Sequence, residues 1–355
     1  MKQLKLLPMV FSILLALQGF SQSWQWGKHV TGAGDIFNQV TKVDGSGNMI
    51  VAGAKNGLTT FVGSADPDPY TLNAAVNTPF LAKYNPDGSI IWLINIGNQD
   101  DTNLKGLTVD NQGNIIITGQ FSSAIEPCTF GSTNTTGSNP DIPLIGDGSR
   151  DGYLAKYDTN GNLLWAYAIA QGALEDRSFG VITDSENNIY VSGFFRSTNL
   201  NIFRKDLSDS TITKTAGNNS DGYIVKYSPD AYYLWHKQFS SPTYARNTGG
   251  IALAPNNGVY VAIDFTSSVS VVGTDPLVSA SAIGNKAVAI FKLSEDSNVD
   301  WVRVIRGSVA GSGVNVVQGG AFTSDAEGNL YAIGQGNTTL IFEDGAGGNL
   351  LSLTC

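Results

Sequence analysis

A tryptophan returns at a nearly constant interval along this chain of 355 residues. Trp26, Trp92, Trp165, Trp235 and Trp301 are separated by 66, 73, 70 and 66 residues, and each lies in a similar local sequence. A unit of this length that recurs several times has to bury its apolar surface against its own copies. The sequence therefore predicts an array of repeat units that start near these five tryptophans.

Each unit contains a turn motif, Asp-x-x-Gly-Asn or a close variant, followed by a short apolar strand. The strand is apolar on consecutive residues, as at Ile115, Ile116 and Ile117, which predicts that both of its faces are covered. Gly and Asn tolerate the positive φ that tight hairpin turns require. The copies occupy residues 44–53, 110–119, 184–193 and 325–334, with an altered copy at 254–263.

A second block is an aromatic strand that carries a lysine, always nine residues before the tryptophan. A connection of constant length predicts a tight hairpin. A further apolar stretch precedes each Asp turn, so the unit is predicted to hold four antiparallel strands, with a connection of variable length between the second and third. The pairs are Lys83 and Trp92, Lys156 and Trp165, Lys226 and Trp235, and Lys292 and Trp301.

Antiparallel units of four strands, repeated head to tail, predict an all-β chain and favour a β-propeller with about five blades, the last incomplete. The phrases GNIIITG and DGYLAKYDTNGNLLW resemble the secreted bacterial β-propeller repeat (SBBP-type) family, especially the long arrays exported by Bacteroidetes-like bacteria. The resemblance covers nearly all of residues 22–355. It implies a β-propeller in an extracellular protein and says little about activity.

The two ends of the chain carry separate predictions. Lysines at positions 2 and 5, an apolar run, and the small residues Gly19 and Ser21 before Gln22 are typical of a signal peptide. We therefore expect residues 1–21 to direct secretion, leaving a propeller array over 22–355; the alternative is that they remain as an uncleaved anchor. This leader is too short for a membrane span.

The fifth unit is predicted to be truncated at its C-terminal side, because the next lysine strand would fall at about residues 363–371 by the spacing of the earlier repeats. Alternatively, residues 350–353 replace that strand, and the unpartnered strand around Trp26 closes a five-bladed ring.

Composition excludes several classes of function. The chain has 30 acidic and 21 basic residues and a formal net charge of −9, so it lacks the basic surface that nucleic acids require. No apolar run after the leader approaches the length of a membrane span. Its two cysteines, Cys128 and Cys355, do not make a disulfide framework.

Several recurring or paired residues invite functional hypotheses. The four lysines Lys83, Lys156, Lys226 and Lys292 could form a ring that binds an anion, or could lie along the sheets with their charge near a carboxylate. The tryptophans could stack on sugars or pack between units. Because both features recur in every unit, and binding sites usually break symmetry, the structural alternatives are favoured.

The remaining candidates are isolated. His29 and His236 are the only histidines, too few for a zinc site or a triad. Asp66 and Asp68 could contribute to a calcium site but lack further ligands. The acidic pairs Asp100–Asp101 and Glu175–Asp176 could serve a glycosidase, although such pairs are common in loops.

The sequence therefore predicts no catalytic, cofactor-binding or metal-binding set. The favoured hypothesis is a secreted, non-catalytic protein that binds or scaffolds a protein or a glycan. The alternative is a propeller enzyme, either a quinoprotein-like oxidoreductase or a polysaccharide hydrolase or lyase.

Overall fold

The computed structural model describes most of the chain from His29 onward. In the described part, every regular element is a β-strand and none is a helix, which confirms the all-β prediction. The described residues are 29–32, 36–55, 58–62, 70–72, 78–96, 102–122, 128–131, 142–146, 149–205, 210–213, 219–273, 279–281, 286–308, 314–316, 322–336, 339–344 and 348–353. Trp26 and residues 1–21 lie outside them.

The strands of the first half are β1 (His29–Gly32), β2 (Ile36–Val43), β3 (Met49–Lys55), β4 (Thr59–Val62), β5 (Tyr70–Leu72), β6 (Thr78–Tyr84), β7 (Ile90–Asn95), β8 (Asn103–Val109), β9 (Ile115–Phe121), β10 (Cys128–Phe130), β11 (Ile142–Leu144), β12 (Asp151–Tyr157), β13 (Leu163–Gln171), β14 (Asp176–Thr183), β15 (Ile189–Phe195) and β16 (Asn199–Ile202). Those of the second half are β17 (Ser210–Thr213), β18 (Asp221–Tyr227), β19 (Tyr233–Ser240), β20 (Ala245–Arg246), β21 (Ile251–Ala254), β22 (Gly258–Phe265), β23 (Ser268–Val271), β24 (Ser279–Ser281), β25 (Ala287–Leu293), β26 (Val299–Gly307), β27 (Val314–Val316), β28 (Phe322–Ser324), β29 (Leu330–Ala332), β30 (Gly334–Gly336), β31 (Leu340–Asp344) and β32 (Asn349–Leu353).

Four repeat units each form the predicted antiparallel sheet of four strands. The lysine and the tryptophan of each unit are direct cross-strand partners, as their constant separation predicts. The fifth unit is described as two short pairs, β27 with β30 and β28 with β29. The strand orders of the first three sheets are β2-β3-β6-β7, β8-β9-β12-β13 and β14-β15-β18-β19. In the fourth sheet, the short strands β20 and β21 both pair with β22 and together take the place of the first strand, and the order continues β22-β25-β26.

The variable connection between the second and third strands has a role that the sequence did not reveal. In the third, fourth and fifth units it folds into a hairpin that extends the sheet of the preceding unit, whereas the hairpin of the second unit, β10–β11, meets the first unit through a single bridge between Phe130 and Ile96. Thus β16–β17 add to β13, β23–β24 to β19, and β31–β32 to β26. Near the N-terminus, β4–β5 add to β1 in the same way. Consecutive units are therefore joined by backbone hydrogen bonds as well as by packing.

This arrangement corrects one of the two expectations for the C-terminal end. Residues 350–353 lie in β32, which pairs with β31 in the sheet of the fourth unit. They are the second strand of a joining hairpin and do not replace the lysine strand of the fifth unit. Among the described strands, β1 pairs with β4 of the first unit and not with the fifth unit.

The apolar core lies between consecutive sheets. Ile117 and Tyr153 of the second unit pack with Leu81 and Ile94 of the first. The opposite face of the second unit packs on the third, and the third packs on the fourth in the same manner. A smaller cluster joins the fourth and fifth units. Each central sheet is thus covered on both faces, which explains why its strands are apolar on consecutive residues.

A glycine within the second strand is required by a bulge in the first strand. In the third unit, the register shifts between Ser178 and Gly180, and this bulge places the carbonyl oxygen of Arg177 against Gly193. A Cβ atom at Gly193 would overlap that oxygen and would lie 2.8 Å from the Tyr223 hydroxyl oxygen. Gly119 has the same surroundings in the second unit.

We predict that Gly193→Ala lowers the free energy of unfolding by about 3 kcal/mol, because the buried backbone has to move to admit a methyl group. Gly45→Ala is the matched control, since a Cβ atom there meets nothing within 4 Å, and its effect should stay within about 0.5 kcal/mol. Urea denaturation followed by tryptophan fluorescence measures both. Equal midpoints for the two variants would contradict this account of the bulge.

Candidate functional site

The recurring lysines are buried in ion pairs with the Asp of the turn motif. In the second unit, Lys156 Nζ lies 3.0 Å from Asp110 Oδ2. Asp110 also accepts hydrogen bonds from the backbone N–H of Gln112 and Asn114 and from the Asn114 side-chain amide. Lys156 Nζ further donates to the carbonyl oxygen of Pro229, in the next unit, at 3.3 Å. The charge is therefore fully engaged inside the fold.

The first and third units repeat this arrangement. Lys83 pairs with Asp44 at 2.9 Å and Lys226 with Asp184 at 3.3 Å, and both lysines are almost fully buried. Lys83 also donates to the carbonyl oxygen of Thr159 in the following unit. We use the word joints for these polar contacts of the lysines, and of the tryptophans described below, that link one unit to the next. The lysines are paired with aspartates and do not form the shared anion-binding ring that was one of the two hypotheses from the sequence.

The fourth unit departs from the pattern because Ala254 stands where the other units have Asp. Lys292 pairs instead with Asp300 at 3.0 Å, and 24% of the lysine side chain and 38% of the aspartate side chain are exposed. This pair is therefore a partly solvated version of the buried ones.

The tryptophans are part of the same joints. Trp92 Nε1 donates to the carbonyl oxygen of Thr159 at 3.2 Å, the same oxygen that Lys83 contacts. Trp235 Nε1 donates to the carbonyl oxygen of Glu295 at 2.9 Å. Trp165 is buried and stacks on Tyr167, with ring centroids 5.5 Å apart. Trp92 and Trp235 therefore bond to the following unit, and all three indoles take part in packing between units.

The first strands of all five units line one open cavity of about 540 Å³. Its ionisable lining residues among those described are Lys42 and Lys105, and the remainder are apolar, glycine, threonine, serine or asparagine. One lining residue from each unit illustrates the arrangement: Val40, Leu107, Val181, Ile251 and Phe322. A shared centre for five successive units is the geometry that a radial array requires.

Beside this cavity, at the end of the strands opposite the Asp turns, lies a group that we call the arginine cluster: Arg150, Glu175, Arg177, Arg196 and Arg246. Glu175 contacts Arg150 at 2.9 Å and Arg196 at 3.4 Å and also pairs with Arg177. Arg246 donates to Ser220 Oγ and Asn219 Oδ1. Sequence analysis missed this cluster because its arginines are dispersed over three units.

The acidic pair Glu175–Asp176 does not behave as a glycosidase pair. Burial by itself would raise the pKa of Glu175, but the hydrogen bond from Arg150 and the charge of Arg177 outweigh it and lower the pKa. A general acid needs the opposite shift. Asp176 is fully buried and accepts hydrogen bonds from the Ser197 hydroxyl and the backbone N–H of Arg196 and Ser197. Asp100 and Asp101 lie outside the described residues.

The other candidates do not converge. His236 lies on β19, where its Nδ1 is 2.7 Å from the Tyr233 hydroxyl oxygen, and burial together with Lys237 and Arg204 lowers its pKa. The side chain of His29 and both Asp66 and Asp68 are outside the described part. Within that part, no three His, Cys, Asp or Glu residues are grouped to hold a metal ion. Nor does it contain a helix long and apolar enough to cross a membrane.

Comparison with known proteins shows a distant similarity to a viral protein. An uncharacterized WD repeat-containing protein of Acanthamoeba polyphaga mimivirus is 27% identical to this chain over 227 residues. The match covers 56% of this chain and 15% of the viral protein, so the chain spans a small part of that relative's length. No protein-family model matches the chain.

We predict that Lys156→Met lowers the free energy of unfolding by about 3 kcal/mol, because Asp110 is left as a buried charge without its cation. Lys292→Met is the matched control in the same register, and the solvated pair there should contribute less than about 1 kcal/mol. The double variant Asp110→Asn with Lys156→Met should recover part of the loss, since no buried charge remains. Denaturant unfolding of the four proteins tests this, and equal losses for Lys156 and Lys292 would contradict it.

The corresponding pair of the first unit, Lys83 and Asp44, predicts an acid-sensitive fold. Burial alone would raise the pKa of Asp44, but hydrogen bonds from Asn48, Lys83 and the turn backbone hold it at about 2, below its ordinary value of 3.8. Because the folded pKa is depressed, the stabilisation is present above pH 4 and is lost as the pH falls toward 2. Denaturation midpoints of the native chain should fall over this range more steeply than those of Asp44→Asn. Parallel pH profiles would show that Asp44 does not contribute.

Proposed function

We propose that this chain is a secreted β-propeller repeat protein without catalytic activity that binds or scaffolds a partner protein or glycan. The observation that carries the proposal is how the recurring polar residues are used. The joints between units are formed by three of the recurring lysines and two of the tryptophans: Lys83, Lys156, Lys226, Trp92 and Trp235. Residues that differ from unit to unit are left to make specific contacts.

The propeller assignment is supported by two features of the described part and by one comparison with a known protein. Consecutive four-stranded antiparallel sheets pack face to face. The first strands of five units line one cavity. The viral relative is named for WD repeats, and the radial arrangement of such repeats is a propeller. About five blades, the last incomplete, remain our proposal for this chain, as does membership of the SBBP-type family.

A binding role is supported by the kind of surface that the units create. Stacked sheets hold the loops rigidly at the two ends of the strands, and rigid scaffolds that carry variable loops are well suited to recognition. The cavity contains lysine, hydroxyl and apolar groups, whereas acid–base chemistry on glycosidic bonds needs a facing pair of carboxylic acids. The signal-peptide pattern of residues 1–21 supports secretion.

The proposal is tested on the full chain produced in a bacterium with its own leader. We expect a protein in the exported fraction that begins at Gln22 by mass spectrometry. The purified protein should bind saturably to a component of a secreted-protein or glycan array, show no quinone absorbance and leave polysaccharides uncleaved. Turnover in proportion to the amount of protein, or a bound quinone, would favour the enzyme alternative. Absence of any saturable ligand would also count against the proposal.

A further inference from the structure

We propose that the arginine cluster is a docking site for an acidic segment of a partner protein, whose aspartate or glutamate carboxylates bind the guanidinium groups of Arg177 and Arg246. This inference rests on the proposed binding function and specifies the chemistry of the partner. It concerns a different part of the molecule from the lysine and tryptophan joints.

The first argument is the balance of charge. Among the described contacts, the single carboxylate of Glu175 is shared by Arg150, Arg177 and Arg196. The hydrogen-bond partners shown for Arg246, the Ser220 hydroxyl and the Asn219 amide oxygen, are both neutral. Four guanidinium groups around the carboxylate of Glu175 concentrate positive charge in one place, and this charge attracts an anion.

Three acidic residues lie nearby, and one of them, Asp264, is the cross-strand partner of Arg246. Asp176 and Asp221 are fully buried, and they accept hydrogen bonds from Ser197 and Gln238 respectively. Asp264 lies beside the hydroxyl of Thr248. The pKa of Arg246 is lowered, first because the side chain is buried and next because the positive charge of Arg196 is close to it.

The second argument is the rigid presentation of the guanidinium groups. The guanidinium carbon of Arg246 lies 4.5 Å from the centroid of the Phe194 ring, and that of Arg177 lies 6.0 Å from it. Phe194 itself stacks on Phe179, a residue that lines the cavity. A guanidinium group held over an aromatic ring can still bind a carboxylate through two parallel hydrogen bonds. The buried Nε of Arg177 has no hydrogen-bond partner among the described residues.

The third argument selects a protein over a glycan. Arginine and aromatic side chains are enriched in the centres of protein interfaces. The Phe194 ring already packs against Phe179 and Arg246, so it does not offer a flat face to a sugar. The chain as a whole carries a net charge of −9. An acidic partner is therefore repelled by most of the surface and attracted to this cluster, which favours one orientation of binding.

The test measures binding of a fluorescein-labelled peptide of alternating glutamate and glycine to the full chain by fluorescence anisotropy at low salt. Arg177→Gln and Arg246→Gln should each weaken binding about ten-fold, as expected when one charge-assisted contact is lost. The matched control is Arg303→Gln, which removes a guanidinium that packs over Trp301 on the outer strand β26. It should change the affinity less than about two-fold.

Glu175→Gln gives a result that a purely structural cluster would not give. Removal of the internal carboxylate should strengthen peptide binding several-fold, because Arg177 then has no competing anion. Thermal unfolding of each variant shows that it is folded at the temperature of the assay. Arg246→Lys keeps the charge but loses the planar stack, and its affinity should fall between those of the native chain and Arg246→Gln.

The inference is overturned if the peptide does not bind, or if Arg177→Gln and Arg246→Gln bind it as tightly as the native chain. Binding of a sulfated or uronate polysaccharide with no binding of the peptide would assign the cluster to a glycan and would also overturn it. Failure here leaves the proposed function intact if another ligand binds the chain. Conversely, catalytic turnover would remove the proposed function even if the peptide bound to the arginines.

Discussion

The constraint on which the structure depends is that its sheets are apolar on both faces. A sheet with residues such as Ile116 and Ile117 side by side cannot leave either face in water, because each exposed face would lose the burial of several large aliphatic side chains. Each unit therefore needs a neighbour on both sides. Face-to-face packing follows, and it brings the first strands of successive units together around one cavity.

Apolar packing alone does not fix how far one sheet slides over the next, and the polar joints supply that precision. Lys156 reaches the Asp110 carboxylate in its own unit and the Pro229 carbonyl oxygen in the next. A buried ammonium with both partners in place is tolerated, whereas a displaced one would be left unpaired at a high cost in free energy. The joining hairpins add backbone hydrogen bonds between units. We infer that these directional contacts set the register between sheets.

Sequence reasoning predicted the repeated elements well because each one leaves a local and periodic signal. The constant distance between Lys156 and Trp165 became a direct cross-strand pair. The joining hairpins left no such signal, since their connections vary in length and pair with the preceding unit. The Lys–Asp partners were also missed as specific pairs, because the two residues meet only when the first and third strands flank the second.

The arginine cluster was hidden for a related reason. Arg177 and Arg246 occupy equivalent places, opposite Phe194 and Asp264 on the second strand. They lie seven and eight residues before the first residues of their turn motifs, Asp184 and Ala254. The difference arises because the fourth unit contains an extra residue in the stretch where the Asn247 side chain donates a hydrogen bond to the Ala262 carbonyl oxygen.

The first and second units have Phe37 and Asn103 at this register position. Positions that are the same in every unit satisfy a requirement that every unit shares, which is to attach to its neighbour. A ligand meets the molecule at one place, so the residues that recognise it have to differ from their counterparts. Guanidinium groups at this position in two adjacent units, both near the Phe194 ring, break the repeat and are not part of the lysine and tryptophan joints. For that reason we place the proposed docking site at the arginine cluster and not at the recurring lysines and tryptophans.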